Sequence, residues 1–258
     1  MSEGPLQLET NACLLVFDVH EDVAWLRSVI EKERGNFDHL LLGGDYFDAF
    51  RRPSGGGATL MCATLLDLRR EFGRDLTVLL GNHDISYLEV RPAVLRQRSP
   101  GMTAYTASGF SQYKAEHIAR LIEARWWDDC RLFGVVNGYL VSHAGVAAAF
   151  WPHQPTVAAS LAALQAQAVE AMSDLRIFHP LLGVGVPRGG NQPFGGLTWL
   201  DFNREFQDDL PLPQIFGHTP SPVGARRRGR SWCLDGGQTC YGLLRRDGSL
   251  EIRVSGRG

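Results

Sequence analysis

The residues best suited to chemistry stand directly behind short apolar runs. The segment GNHDI (81–85) follows the run LTVLL, so an amide, an imidazole and a carboxylate come in succession after a strand-like segment. A turn accounts for the asparagine and the aspartate, but it gives the histidine between them no structural role. A chemical role for this histidine requires partners from other segments of the chain.

Four more apolar runs are followed by polar residues in the same way. CLLVF (13–17) leads into DVHED, LLLGG (40–44) into DYFD, GYLV (138–141) into SHAG, and PQIF (213–216) into GHTP. A single histidine or aspartate after a strand is usually structural. In an open α/β sheet, however, ligands bind beyond the carboxyl ends of the strands. Five strands that each end in polar residues therefore indicate one shared site. The residues that they deliver are Asp18, His20, Asp45, Asp48, Asn82, His83, Asp84, His143 and His218.

These side chains form a set of oxygen and nitrogen donors suited to metal ions. Carboxylate, carboxamide and imidazole together favour manganese, iron or zinc over calcium, and the set lacks the thiolates of a structural zinc site. Asp18 and His20 are two residues apart, so on an extended strand exit both point to the same side and can chelate one ion. The ligands are too many for one tetrahedral ion, which predicts two metals sharing a bridging carboxylate, about 3.5–4 Å apart.

The elements that must position these residues alternate between strands and helices. Helical patterns cover 22–34, with Asp22 as the expected N-cap, and 59–72, while 111–126 and 156–173 indicate two further helices. Strand–helix–strand alternation predicts a parallel sheet with right-handed crossovers. Near the end of the chain the runs SWCLD, TCYGLLR and SLEIRV, separated by glycine-containing turns, predict a C-terminal β-meander.

Residues 1–258 are expected to form a single α/β domain with a mixed or two-sheet core. No internal repeat or linker is found, and the glycine-rich stretches 51–58 and 183–196 are interpreted as loops. An aromatic-rich insert is expected at about 85–130, where most of the rings are predicted to pack into the core.

The amino-acid composition limits the classes of binding partner and the cellular location to be expected. The 258 residues are 44% hydrophobic and 21% charged with a formal net charge of -2, so the basic face typical of nucleic-acid binding is not expected. Five scattered cysteines without a CxxC pair indicate reduced thiols and a cytoplasmic location. The N-terminus shows no signal peptide, and no uncharged apolar run approaches the roughly 18 residues that a membrane span needs.

The segments DVH, GDYFD, GNHD, SHAG and GHTP, in this order over residues 18–220, resemble the signature blocks of the calcineurin-like metallophosphoesterases. The resemblance implies a two-sheet β-sandwich core flanked by helices and two divalent metal ions, manganese foremost, with iron or zinc as alternatives. It also implies that His83 is not a ligand but an acid that protonates the leaving oxygen or helps to hold the phosphate, oriented by Asp48 or Asp84. One ion would be held by Asp18, His20 and Asp45, and the second by Asp45, Asn82, His143 and His218.

The reaction that the resemblance implies is hydrolysis of a phosphoric ester by in-line attack of a metal-bridging hydroxide. GHTP with Pro220, LDGG and LLGNHDISYLEV are similar to the branch of protein Ser/Thr phosphatases and symmetrical diadenosine tetraphosphatases. The expected substrate is therefore a phosphomonoester or a nucleotide-type phosphoanhydride, carried by a small phosphorylated molecule or a phosphoprotein. A protein Ser/Thr phosphatase, a phosphodiesterase and an inactive scaffold of the same fold stay open as alternatives.

The chain departs from the pattern of that branch at three positions. Ala49 and Leu80 stand where family members have phosphate-binding arginines, and Glu21 stands where a glycine is common. Bidentate arginine contacts recognise phosphate dianions, so their absence weakens the protein-phosphatase interpretation. Four side chains in loops near the expected site are candidates for substrate binding: Arg51, Arg52, Arg188 and Tyr105.

Overall fold

Strand β2 (Ala12–Val16) is apolar at every position because both of its faces are buried. Leu15 points between two sheets, where it clusters with Leu41, Val141 and Ile215, whereas Leu14 belongs to the core that includes helix residues such as Leu26. The computed structural model describes residues 4–49, 57–88, 105–175 and 177–255. In this part of the chain, two mixed sheets pack face to face and helices flank them, which confirms the expected fold class.

The first sheet has five strands. The central strands run parallel, as predicted for the first half of the chain, and the two C-terminal strands add to them in antiparallel fashion. In spatial order the strands are β11 (Leu250–Val254), β10 (Cys240–Arg245), β2, β3 (His39–Leu42) and β4 (Leu76–Val78).

The second sheet has six strands and is also mixed. The strands β6, β7 and β9 run parallel, while β5 pairs antiparallel with β6 and β8 pairs antiparallel with β9. In spatial order they are β1 (Leu6–Leu8), β5 (Phe133–Val136), β6 (Tyr139–Ser142), β7 (Gln214–Phe216), β9 (Ser231–Cys233) and β8 (Arg226–Arg228).

The helices of the described residues agree with the predicted ones, except at two places. The α-helices are α1 (Val23–Lys32), α2 (Gly57–Phe72), α3 (Asn82–Leu88), α4 (Gln112–Leu121), α5 (Ala124–Asp128) and α6 (Val157–Ser173). Short 3-10 segments lie at Gly73–Asp75, Ala148–Phe150, Pro180–Leu182 and Val186–Arg188. Asp22 caps α1 as predicted, because its side chain accepts the N–H of Trp25.

The two differences have local causes. The predicted helix 111–126 is broken between α4 and α5 by two extended residues, Ile122 and Glu123, and the break places Ile122 in the core. GNHD was expected to be a loop, but Asn82 is the first residue of α3. The polar residues of this segment therefore lie on the first turn of a helix rather than in a loop.

The C-terminal strands form as predicted but do not stay together in one meander. The strands β10 and β11 form an antiparallel hairpin in the five-stranded sheet. The preceding strand, β9, pairs instead with β7 and β8 in the other sheet. The chain thus changes sheets between Cys233 and Cys240, and the connecting segment passes the end of the sandwich where β2 and β7 stop.

In the described residues no helix is long and apolar enough to cross a membrane. All five cysteines are buried and free, in line with the expected reduced thiols.

Candidate active site

The polar strand exits of both sheets meet at one edge of the sandwich. Asp18 follows β2 in the five-stranded sheet, and His218 follows β7 in the six-stranded sheet. The backbone N–H of His218 lies 3.1 Å from each carboxylate oxygen of Asp18, to which it donates. The two sheets are therefore joined by a direct hydrogen bond between residues that were predicted to bind metal.

One group of donor atoms surrounds Nε2 of His143. This nitrogen lies 3.3 Å from Oδ2 of Asp45, 3.2 Å from Oδ1 of Asn82 and 3.3 Å from Nδ1 of His218. All four residues are buried. Several lone-pair donors thus point at one another, an arrangement that a shared cation would satisfy.

A second group of donor atoms includes the same carboxylate. His20, Asp45 and His83 each offer one donor atom, and these atoms lie within 4.8 Å of one another; Asp45, His143 and His218 meet the same criterion. Nε2 of His20 is 3.8 Å from Oδ2 of Asp45. Asp45 is the residue common to both groups, as expected of a bridging ligand.

Two histidines are fixed in the orientation that a metal ligand requires. Nδ1 of His143 donates to the carbonyl of Gly43 at 2.9 Å, and Nδ1 of His20 donates to the carbonyl of Phe47 at 2.9 Å. A proton held on Nδ1 leaves the lone pair of Nε2 directed toward Asp45 in both cases. The backbone therefore selects the tautomer.

Buried carboxylates give the site an excess of negative charge. Burial, reinforced by the charges of Asp235 and Asp45, raises the pKa of Asp18 well above its usual range. Burial and the charge of Asp45 likewise raise the pKa of Asp84 to about 7, and burial raises that of Asp235 to about 6. Cations placed among these groups would remove the mutual repulsion, so the donor set fits divalent metal ions.

The close packing of the site depends on two glycines. A Cβ atom on Gly81 would lie 2.1 Å from Oδ1 of Asp45, and one on Gly217 would lie 2.0 Å from Oδ2 of Asp18. These contacts could not be predicted from the sequence, since a glycine before a polar segment is normally interpreted as a turn residue. Here the missing side chain makes room for the carboxylates.

Backbone strain is concentrated at the same edge. Positive φ is unfavourable for residues other than glycine and persists where surrounding structure enforces it. Apart from Asn137, the non-glycine residues with positive φ in the described ranges are Asp18, His20, Glu21, Asp45, Asp48, His218 and Gln238. Gln238 lies at the same edge of the sandwich, since its side-chain amide donates to the backbone carbonyl of Asp18 at 2.6 Å.

Comparison with known proteins agrees with this geometry. The family model for calcineurin-like phosphoesterases matches residues 17–222. The chain belongs to the calcineurin-like phosphoesterase family. The family resemblance is thereby confirmed, and the chain is a metal-dependent phosphoric ester hydrolase. The branch suggested by the sequence motifs stays a prediction.

Several solved structures have a similar fold. A cold-active protein-tyrosine phosphatase of a psychrophilic Shewanella species is 15% identical with a TM-score of 0.60, and the match covers 98% of this chain and 82% of that chain. A candidate diadenosine tetraphosphatase is 15% identical with a TM-score of 0.50 and is matched over 98% of both chains. At this identity the similarity establishes the fold alone. No curated protein matches the sequence.

In this phosphoesterase, His83 and Asp48 form a close pair. Nδ1 of His83 donates to Oδ2 of Asp48 at 2.9 Å, and both side chains are buried. Burial opposes protonation of His83, but the charge of Asp45 and the contact with Asp48 outweigh it and raise the pKa of the imidazole. Of the two carboxylates considered for orienting His83, Asp48 is therefore the one in contact.

Asp84 contacts the backbone. Its Oδ2 accepts the N–H groups of Asp45 at 2.7 Å and Gly81 at 2.8 Å, and its Oδ1 accepts the N–H of Tyr46 at 2.9 Å. These contacts connect the exits of β3 and β4. The carboxylate of Asp84 thus caps the backbone of these two segments, and its predicted role in orienting His83 stays a prediction.

Asp18 is at the site but outside the two groups that share Asp45. Among the described residues, its carboxylate belongs to neither set of clustered donor atoms. Its contacts are with the backbone N–H of His218 and the electrostatic neighbours Asp235 and Asp45. Its predicted role as a ligand, beside His20, stays a prediction.

The four residues predicted to contact the substrate differ in where the structure places them. Arg51 and Arg52 lie outside the described residues. Nη2 of Arg188 donates to Oγ1 of Thr219 at 2.9 Å, while Nε lies 2.9 Å from Oδ2 of Asp201. Burial and the neighbouring His143 and Arg188 lower the pKa of His218 well below its usual range, so the charge of Arg188 acts on the site.

Tyr105 is not available to a substrate in this structure. Its side chain is 1% exposed, and its hydroxyl donates to the carbonyl of Ile177 at 3.0 Å and accepts the N–H of His179. The prediction of a substrate contact fails here because the ring is buried as part of the core. Most of the other aromatic residues of the insert that are described pack into the core as predicted: Tyr87, Trp126 and Trp127 are buried, whereas Tyr113 is exposed.

The arginine-rich hairpin at 225–230 is anchored to the protein itself. Arg226 contacts the carbonyl of Thr219 and lies over the ring of Phe202. Arg228 lies over the same ring, and Arg230 binds Asp208. These three arginines therefore make contacts within the chain.

Two charged residues next to His83 were not predicted to belong to the site. Lys114 of α4 contacts the carboxylates of Asp48 and Glu21. Glu21 had been noted only as a departure from the family pattern, and no local signal marked Lys114, which lies 66 positions from Asp48 in the chain.

Proposed function

We propose that this phosphoesterase hydrolyses a phosphomonoester, or a nucleotide-type phosphoanhydride, at a site that holds two divalent ions. The single observation that carries the proposal is the position of Asp45, whose carboxylate is shared by two groups of buried histidines. A carboxylate shared by two groups of donors is the usual arrangement of a two-metal hydrolytic site.

The ligand assignment combines the grouped donor atoms with the sequence motifs, which add Asp18 and assign His83 a different role. Asp45 and His20, with Asp18, would hold one ion; Asp45, Asn82, His143 and His218 would hold the other. Manganese suits this mixed set, with iron or zinc as alternatives. When bound, such ions lower the pKa of water, neutralise phosphoryl oxygens and align the attacking and leaving groups.

The proton that the leaving oxygen needs would come from His83. With Nδ1 bonded to Asp48, the other ring nitrogen, Nε2, carries the transferable proton of the imidazolium. As the bond between phosphorus and the leaving oxygen breaks, its electron pair stays on oxygen, which takes the proton from Nε2. The raised pKa of His83 favours the protonated form that this role requires.

Arg188 is the described residue best placed to contact a substrate phosphate. Thr219 and Asp201 hold its guanidinium beside His218, and the side chain is 24% exposed, so it faces both solvent and the site. Arginine recognises phosphate oxygens through paired N–H groups. It would thereby replace one of the arginines that this chain lacks at Ala49 and Leu80.

A phosphodiesterase is disfavoured by the residue two positions after His218. Pro220 stands where a second histidine would be expected of that branch, and the intervening Thr219 binds Arg188. A phosphoprotein is retained as a substrate class, because the similar Shewanella structure is described as a protein-tyrosine phosphatase. The cytoplasmic location stays a prediction.

The test is an assay of the purified chain with Mn²⁺ on p-nitrophenyl phosphate, bis-p-nitrophenyl phosphate, diadenosine tetraphosphate and a phosphopeptide. We expect turnover of the monoester or the tetraphosphate and loss of activity in Asp45→Asn. Metal content is measured on the same samples. Bound metal without turnover of any substrate would favour the inactive scaffold, and preferential cleavage of the diester would favour the phosphodiesterase.

A further inference from the structure

The carboxylate of Asp48 uses its two oxygens for different purposes. Oδ2 accepts Nδ1–H of His83 at 2.9 Å. Oδ1 accepts the hydroxyl of Tyr87 and lies 2.8 Å from Nζ of Lys114. Since Oδ1 is held from two sides, the carboxylate cannot rotate freely, and Oδ2 stays aimed at the imidazole.

Lys114 contributes the charge in this arrangement. Its ammonium lies 2.8 Å from Asp48 and 2.9 Å from Oε1 of Glu21, and it sits 5.9 Å from the centre of the Tyr87 ring. Burial opposes the charged form, but hydrogen bonds to Asp48 and Glu21 outweigh it and raise the pKa of Lys114. The side chain therefore carries a full positive charge at neutral pH.

Glu21 completes the contact from the opposite side. Its Oε1 accepts the backbone N–H of Asp48 at 3.1 Å and also receives Lys114. The residue is 5% exposed and adopts a φ of 63°, a conformation that a glycine would adopt more readily. Two buried carboxylates, Glu21 and Asp48, would repel each other without the ammonium between them.

We infer that Lys114 and Glu21 are positioning residues for proton transfer by His83, an inference that rests on the proposed function. Lys114 and Tyr87 hold Oδ1 of Asp48, Glu21 holds Lys114 and the Asp48 backbone, and Oδ2 of Asp48 holds His83. This series of contacts connects Lys114 of α4 to the imidazole of His83 through the carboxylate of Asp48. Without it, the imidazole would lose its alignment with the leaving oxygen.

The kinetic test compares leaving groups. Lys114→Met keeps the length of the side chain and removes its charge, Lys114→Arg retains the charge, and Arg120→Met alters an arginine of the same helix that is 73% exposed. With Mn²⁺, we expect Lys114→Met to lower kcat on phenyl phosphate on the order of tenfold and to change kcat on p-nitrophenyl phosphate little, because only the poorer leaving group needs the proton. KM should be unchanged, and Lys114→Arg should restore most of the rate.

Other kinetic results would overturn the inference. An equal loss on both substrates, or a raised KM with unchanged kcat, would make Lys114 a structural residue or a phosphate contact instead. Unfolding measurements on each variant check that the fold is retained, and Arg120→Met should behave like the original chain throughout.

A spectroscopic test separates this inference from the proposed function. In metal-free protein with ¹⁵N-labelled histidine, Nδ1–H of His83 should give a downfield, exchange-protected signal that is absent in His83→Ala. We expect the signal to move upfield or broaden in Lys114→Met and in Glu21→Gln, but not in Arg120→Met. An unchanged signal overturns the positioning role, whatever the enzyme hydrolyses. If instead the original chain hydrolyses none of the substrates, the proposed function fails and the signal still decides the positioning role.

Discussion

Asp84 binds the backbone of Asp45 directly: its Oδ2 accepts the Asp45 N–H over 2.7 Å and, on the other side, the N–H of Gly81 over 2.8 Å. One buried carboxylate thereby sets the distance between the loops after β3 and β4. Asp45, the proposed bridging ligand, is therefore held through its backbone by Asp84 as well as lying beside its histidine neighbours.

Replacing Asp84 should disturb metal binding more than proton transfer. In Asp84→Asn the amide can accept fewer of the three backbone N–H groups, and its own N–H atoms face donors, so we expect a loss of stability of about 2–4 kcal/mol. Urea unfolding and metal analysis measure the effect. The fraction of protein that retains metal should keep a normal kcat; a large drop in kcat at full metal content would assign Asp84 a direct role.

Neighbouring substitutions in α3 should separate the two functions of the GNHD segment. Asn82→Ala removes an oxygen that lies 3.2 Å from Nε2 of His143, so bound metal should fall. His83→Ala should retain two ions per chain and lower kcat by roughly 10²–10⁴, the usual contribution of a general acid. Metal analysis beside steady-state kinetics decides between them. Loss of metal in His83→Ala would make this histidine a ligand.

A single methyl group on Gly81 should damage the site. Its Cβ would overlap with Oδ1 of Asp45 at 2.1 Å and with the Asp45 backbone nitrogen at 2.6 Å. We expect Gly81→Ala to reduce metal content and to cost about 1–3 kcal/mol of stability through overpacking. The control is Gly4→Ala, since a Cβ there meets nothing within 4 Å. Normal metal content in Gly81→Ala would contradict the packing argument.

The stability of the metal-free protein should fall as the pH rises, whereas the additional stabilisation by Mn²⁺ should increase. Asp84 and Asp235 have folded-state pKa values of about 7 and about 6, above the roughly 3.9 of an unfolded aspartate, so the metal-free fold binds protons more tightly than the unfolded chain. Their contribution to stability is complete below about pH 4 and is lost as the pH rises to about 7. The stabilisation by Mn²⁺ should accordingly increase over this window.

Urea unfolding at several pH values, with EDTA or with Mn²⁺, measures this dependence. Asp235→Asn removes one of the two groups and should make the metal-free slope between pH 5 and 7 shallower, by at most about 1.4 kcal/mol per pH unit. A stabilisation by Mn²⁺ that is independent of pH would show that the ions do not compete with protons at these carboxylates.

Arg188 should govern substrate affinity. Removing a charge-assisted contact with phosphate in Arg188→Ala should lower kcat/KM by roughly 10–100-fold, and Arg188→Lys should recover only part, because lysine cannot form the paired contact. The control is Arg125→Ala, an arginine that is 84% exposed. If Arg188→Ala changes stability but not kcat/KM, the guanidinium serves only to tie Asp201 to Thr219.

The strands and the polar exits could be predicted from the sequence for one physical reason. A strand buried on both faces, such as Ala12–Val16, has no polar position, so its end is marked by the first polar residue. Asp18 and His143 could be recognised in this way. The sheet to which each strand belongs could not, because pairing depends on distant partners: β9 joins β7, although a glycine-containing turn links it to β10.

Residues that act through contacts across the fold were also beyond prediction. Lys114 is 93 positions from Glu21, and no periodicity relates a lysine on a half-exposed helix to a buried carboxylate. For Tyr105 the sequence predicted a role that the structure does not support. Its loop-like sequence suggested an exposed ring, but the ring is buried, and its hydroxyl binds the backbone of Ile177 and His179. Both cases depend on tertiary packing rather than on local pattern.

The hydrogen bond from His218 to Asp18 joins the two layers of the sandwich at the place where the ions would lie. The core residues Leu15 and Ile215 pack between the two layers. The volumes of these side chains would therefore influence how the residues from the two sheets meet at the site. Substitutions in the core of this protein would therefore also change the geometry of its active site.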